Sequence, residues 1–225
     1  MNQTESILNF HGIGSPHSGI EAAERPYWIS ELFFQQILNL VDRAGYRRRV
    51  LWTFDDGNAS DLSIAAPRLA AASQKGTFFI LTGRFDNPHY LSPAQTRGLA
   101  DMGMEIGLHG RDHVDWRTVS VDLLNVETIG ARGVLAQELG RPVTEVAIPF
   151  GTYNRRVISH LKACGFNRIY TSDHGPAAAG ETVRNRTSVR ADMTLEDVRN
   201  ILDNNVSVPT RARRWLSRTL RRYVI

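Results

Sequence analysis

Residues 50–58, VLWTFDDGN, and residues 105–113, EIGLHGRDH, decide how the rest of the chain is read. Each begins as a short apolar run and ends in side chains that carry chemistry. An apolar run of this length bounded by Asp, Gly and His fits a strand buried in a parallel sheet. Parallel α/β folds gather their reacting groups at the carboxyl ends of strands. Asp55, Asp56, His109 and His113 are therefore the first candidates for a functional site.

Working outward, the same pattern recurs. Strand-like runs are expected at 7–10, 50–53, 77–81, 105–108, 143–148 and 168–171, each followed by Gly, Asp, His or Pro. Between them lie helical patterns at 29–44, 62–73, 93–102, 121–139, 155–163 and 195–202. Ser92 before Pro93 reads as an N-cap with proline at the first helical position, and Thr194 with Asp197 as a capping box. Gly45, Gly103, Gly140 and Gly165 stand where left-handed C-terminal caps would. Strand alternating with helix predicts one α/β domain around a parallel sheet or barrel. No repeat or low-complexity linker interrupts it, and 225 residues suit one core rather than two.

Composition bounds the class more than the function. With 42% apolar and 22% charged residues, disorder and fibrous architectures are excluded. The single cysteine, Cys164, cannot form an intramolecular disulfide and reads as a small buried apolar residue with no catalytic role. No leader-like N-terminus and no apolar run long enough to span a bilayer is visible, so a cytoplasmic location is expected. The net charge of +4 is concentrated in PTRARRWLSRTLRRYVI, residues 209–225. Read as a helix, residues 210–225 place Trp215, Leu216, Thr219, Leu220 and Tyr223 on one side and most arginines on the other. That pattern suits an anionic membrane surface, while a frayed, solvated terminus reads equally well. Nucleic acid is the less favoured partner, and a peripheral position at an inner membrane face the more favoured one. The division expected is a domain at 1–205 and a basic amphipathic tail at 206–225.

Adjacent carboxylates leaving a strand repel one another unless a metal or an arginine sits beside them. Alone, TFDDG reads rather as a strand followed by an Asp-Gly turn. His109 and His113, four apart, can face the same way and share one ion, although such a pair is weak evidence by itself. Together, Asp56, His109 and His113 make an Asp-His-His set with an open fourth position, the arrangement a hydrolytic metal site needs. Trp116 reads either as the stacking floor of a sugar groove or as a core tryptophan. His17, His89 and His160 have no convergent partners in sequence.

TFDDG, then H-x-x-x-H about fifty residues on, then PFGTYN at 149–154, resembles in order and kind the polysaccharide deacetylase family, the NodB homology domain of carbohydrate esterase family four. The resemblance covers about residues 5–205 and leaves the basic tail outside. It implies a distorted (β/α)7 barrel and a metal-dependent hydrolase acting on carbon-nitrogen bonds, with a divalent ion, zinc by expectation. The implied substrate is an N-acetylated carbohydrate or glycolipid. Asp55 would be the catalytic base, Asp56, His109 and His113 the metal ligands, and the Phe150 N–H a donor to the oxyanion. By position alone, Gly151 and Tyr153 on this turn are further candidates for the cleft wall, as is Trp116 in its sugar-stacking reading.

Three departures qualify this reading. The hydroxyl residue expected after the first metal histidine is Gly110, and the arginine expected to contact the catalytic Asp is Ala147, for which Arg186 or Arg190 is a substitute. No late leucine-x-histidine motif supplies a general acid. His11, in the early FHGIG that resembles circularly permuted de-N-acetylases, is the expected acid, with His174 the second choice. The alternatives are a catalytically silent sugar-binding relative and a hydrolase of a non-sugar amide.

Overall fold

The computed structural model describes residues 4–43, 45–47, 49–205 and 207–223, with the side chains at 208, 211 and 214 outside that description. Six strands follow one another in parallel register, β1 (Thr4–Phe10), β2 (Val50–Phe54), β3 (Gly76–Leu81), β4 (Glu105–Gly110), β5 (Glu145–Ala147) and β6 (Arg168–Thr171). A short β7 (Ala177–Ala178) runs antiparallel to the start of β1. One segment then closes the ring. Its first half, β8 (Val183–Asn185), pairs with β6, and its second half, β9 (Thr187–Ser188), pairs with β1. The result is the nearly closed barrel-like sheet expected of a (β/α)7 fold, with Arg186 at the break between the two halves.

The strands form where alternation demands two environments. On β1, Leu8 and Phe10 belong to the large core under the helices, whereas Ile7 joins Phe79, Ala147, Tyr170 and Ala177 in a small inner core. Above that plug the interior turns polar at Asn9, Thr53, Asp55 and Arg186, all buried. The guanidinium of Arg186 lies 5.3 Å from the Phe79 ring and 5.8 Å from that of Tyr170, at the boundary between apolar and polar layers.

Helices α1 (Glu31–Arg43), α3 (Pro93–Asp101), α6 (Arg155–Ala163) and α7 (Leu195–Leu202) occupy the expected stretches; residue 44, the expected end of the first, lies outside the described residues. Ser92–Gln95 and Thr194–Asp197 both form capping boxes, and the four predicted cap glycines all have positive φ. Two expected helices are interrupted instead. A π-turn at Asp61–Ala65 precedes α2 (Ala66–Ala71), and another at Val126–Gly130 separates α4 (Val121–Asn125) from α5 (Ala131–Leu139). Such turns insert an extra residue and are common at functional sites; here each carries one buried acid, Asp61 or Glu127. The basic tail forms α8 (Val208–Tyr223), docked against α6.

Candidate active site

The carboxyl ends of β1, β2, β4 and β6, with the loop after β5, surround one cavity of about 590 Å³. His11, Asp55, Asp56, His109, His113, Phe150, Gly151 and His174 all line it. Six non-glycine residues among those described have left-handed backbone, and four of them, Asp56 (φ 77°), His113 (φ 57°), Phe150 (φ 59°) and His174 (φ 58°), stand in this wall. Strain of this kind costs on the order of 1–3 kcal/mol per residue and persists where the surroundings hold it, typically at sites that bind or react.

Asp55 is clamped. Arg186 gives Nη1 to Oδ1 at 2.7 Å and Nη2 to Oδ2 at 2.8 Å, and the Asn9 amide donates to Oδ2 at 2.9 Å. Asn9 Oδ1 in turn accepts from Thr53 at 3.0 Å and from Arg186 at 2.8 Å. Burial pushes the Asp55 carboxyl up, but the Arg186 cation, with His109 and the Arg186 hydrogen bonds, more than offsets it and holds the group well below the usual carboxylate range. Arg186 therefore fills the role for which Ala147 has no side chain, while Arg190, though it lines the cavity, pairs with Asp192 and lies over Tyr27.

Asp56 faces the two histidines. Its Oδ1 lies 3.5 Å from His109 Nε2 and 3.6 Å from His113 Nε2, and it is buried with no hydrogen-bond partner among the described residues. Burial raises the Asp56 carboxyl and the nearby His113, His11 and His109 lower it, with a net shift downward. His109 Nδ1 is 2.9 Å from the carbonyl oxygen of Ala147. A carbonyl only accepts, so Nδ1 is the donor and Nε2 is the ring atom turned to Asp56. His113 is pushed down to about 4, by burial first and then, against the pull of Asp56, by His109 and Arg84. It is neutral near pH 7, the form that ligates. One donor atom from each of Asp56, His109 and His113 lies within 4.8 Å of the others. An orphaned carboxylate oxygen between two imidazole nitrogens fits a divalent cation.

His113 reaches this position from a bend after β4 rather than from a helical turn. The loop hangs on Glu127, which accepts from the amides of Arg111 at 3.0 Å and Asp112 at 3.1 Å and from the Trp116 indole at 3.5 Å. A Cβ on Gly110 would lie 2.8 Å from Glu127 Oε2. The carboxylate thus occupies the space where a hydroxyl side chain was expected.

Two expected contacts are corrected. Trp116 is fully buried in the main core and turns its indole to Glu127, so it floors no sugar groove. Tyr153 is also buried, with its hydroxyl bonded to Asp173; its phenol, pushed up to about 12 by burial and by that carboxylate, braces the wall without lining the cavity. Sequence reading missed Asn9, Glu24 and Glu127. Glu24 lines the cavity 3.9 Å from His113 Nδ1, raised by burial and by Asp56. Its only signal was an acid in an otherwise unassigned loop. Asn9 showed as the lone amide in an apolar strand, ILNF at 7–10.

Residues 42–169, more than half the chain, match the family model described as polysaccharide deacetylase. YxkH, a protein of Bacillus subtilis (strain 168) given a polysaccharide deacetylase name, is 23% identical over 185 residues; the match covers 76% of this chain and 66% of that one, just under two thirds of the relative's length. Among solved structures, the Streptococcus pyogenes deacetylase PplD in complex with acetate aligns with a TM-score of 0.79 at 22% identity, covering 90% of this chain and 99% of the other. IcaB from Ammonifex degensii aligns with a TM-score of 0.71 at 20% identity, covering 89% and 96%. These likenesses show a shared fold.

Proposed function

Because the chain belongs to the polysaccharide deacetylase family, we propose that it is a metal-dependent de-N-acetylase hydrolysing the acetamide of an N-acetylated sugar in a glycan or glycolipid. The observation that carries this reading is the buried, unpartnered Asp56 Oδ1, flanked by His109 and His113 and opening into the cavity that Asp55 shares. Asp56, His109 and His113 would hold a divalent cation, zinc by the chemistry of one carboxylate and two imidazoles, which would supply Lewis acidity at the scissile carbonyl. Asp55, ionised and fixed by Arg186 and Asn9, accepts the proton of the attacking water. The Phe150 N–H, at a left-handed residue of the cavity wall, donates to the developing oxyanion.

His11 returns a proton to the departing amine. Its ring lies tilted by 36° against Tyr27, with centroids 4.8 Å apart, and its Nδ1 makes no hydrogen bond among the described residues. His174 shares the cavity and is the alternative donor. The catalytically silent reading loses its main support once Arg186 stands in for the motif arginine at Ala147.

Acetate release from an N-acetylated chitooligosaccharide tests the proposal. Chelation and Asp55→Asn should each abolish it with the fold intact, and His11→Ala should reduce it more than His174→Ala. Release that survives both chelation and Asp55→Asn would rule the mechanism out.

A further inference from the structure

Helix α8 reverses the usual orientation of a surface helix, whose apolar stripe faces the core. The side it lays on the domain is arginine. Arg221 is 3.1 Å from Asp173 and lies over the Tyr153 ring at 5.5 Å, while Arg222 donates to Asn185 at 2.7 Å and is 3.8 Å from Asp173. The Asp173 side chain is wholly buried, so these cations neutralise a carboxylate that otherwise has no water. The side turned to solvent carries Trp215 at 62% exposure, Leu216 at 53%, Leu220 at 41% and Tyr223 at 66%. At helical spacing these four share one face, a contiguous apolar patch that a water-facing helix does not need.

We propose that this outward face seats the protein on an anionic bilayer surface, with Trp215, Leu216, Leu220 and Tyr223 entering the boundary between headgroups and acyl chains. Two of the four are the amphipathic aromatics that settle at that boundary. Exposed Arg213 flanks the patch and residues 206–225 contain no acid, which suits lipid phosphates. The same charge disfavours pairing of α8 with a second copy, since two purely basic helices would repel. No described helix is long and apolar enough to cross a membrane, so α8 lies on the surface rather than through it. Asp173, which α8 grips, sits between Ser172 and His174 in the cavity wall, so a seated α8 holds the cleft close to the bilayer.

Co-sedimentation of the full chain with phosphatidylcholine vesicles, with and without phosphatidylglycerol, tests this. The protein should sediment with the anionic vesicles. Trp215→Ala/Leu216→Ala/Leu220→Ala should lower the partition at least about tenfold, a change of about 1.4 kcal/mol, while turnover of a soluble oligosaccharide and the circular dichroism stay unchanged. The emission of Trp215, isolated by difference against Trp215→Phe, should shift to the blue. Asp55→Asn should sediment like the parent, which keeps this outcome separate from that of the catalytic reading. Protein left in the supernatant with both vesicle types, a triple variant that binds like the parent, or an α8-dependent dimer in sedimentation velocity without lipid would each overturn the proposal.

Discussion

Replacing Arg186 with methionine removes a cation while keeping much of its volume. The guanidinium holds Asp55 by two bonds of 2.7 and 2.8 Å, and the two side chains are 0% and 4% exposed, so water cannot take its place. Removing one partner of such a pair costs about 3–5 kcal/mol, against a total stability of about 5–15 kcal/mol. Arg186→Met should therefore still fold, with a clearly lower urea midpoint. The second effect is on the proton. Burial drives the Asp55 carboxyl up and Arg186 is the largest influence against it, so in the variant the carboxyl titrates at a higher pH. The acid limb of kcat/KM should move upward, with activity partly recovered above it. The pH dependence of stability has a definite sign. In the parent the Asp55 pKa is lowered, so its contribution is present above the unfolded value of 3.8 and is lost as pH falls through the folded one. The stability difference should thus be large at pH 7 and shrink in strong acid. Arg186→Lys, which keeps the charge and loses the fork, should fall between. An acid limb identical to the parent's, with stability within about 1 kcal/mol of it, would refute the assignment of Arg186 as the partner that tunes Asp55.

Other consequences can be measured the same way. Gly110→Ser forces a side chain to within 2.8 Å of Glu127 Oε2 at φ 104°, and should cost about 1–3 kcal/mol in urea unfolding; combined with Glu127→Ala the losses should be less than additive, and strict additivity would count against a shared space. Asp61 is raised well above its usual value by burial and then by Asp56 and Asp55, so its contribution is complete below 3.8 and lost as pH rises towards the folded value. Asp61→Asn should flatten that decline, each unit of displacement being worth about 1.4 kcal/mol, and an unchanged stability profile from pH 4 to 8 would contradict it. Zinc at a hundredfold excess over its Kd should stabilise the protein by about 3 kcal/mol at pH 7. With His113 lowered to about 4, the unfolded chain takes up a proton below 6.5 that the folded one resists, so the metal-free protein should lose stability between pH 6.5 and 4. Calorimetry with and without chelator checks both statements, and an unchanged Tm on chelation at pH 7 would dismiss the metal centre.

The six parallel strands were legible because each buried run ends in loop-forming residues, and α6 and α7 because their apolar period is clean. The closing segment was not. Residues 183–188, VRNRTS, point buried polar groups into the barrel mouth, so the hydrophobic signal of a strand is missing. The π-turns escaped notice because one extra residue scarcely disturbs a helical pattern, and only Glu127 turning inward reveals the second. Asp55, Asp56, His109 and His113 could be picked out because strand ends fix where their side chains emerge. Nearness in sequence misled at Trp116 and Tyr153, since it does not say which side of the backbone faces the cavity. Arg186 could be offered only as one of two candidates, because 131 positions separate it from Asp55.

The strand that joins the two edges of the sheet also delivers, at its midpoint, the counterion of the proposed base. Completing the ring and arming the chemistry are therefore one event. A chain halted before residue 186 has neither a closed barrel nor a neutralised carboxylate, so during synthesis hydrolytic competence should arrive abruptly with the last strand rather than accumulate with each repeat added.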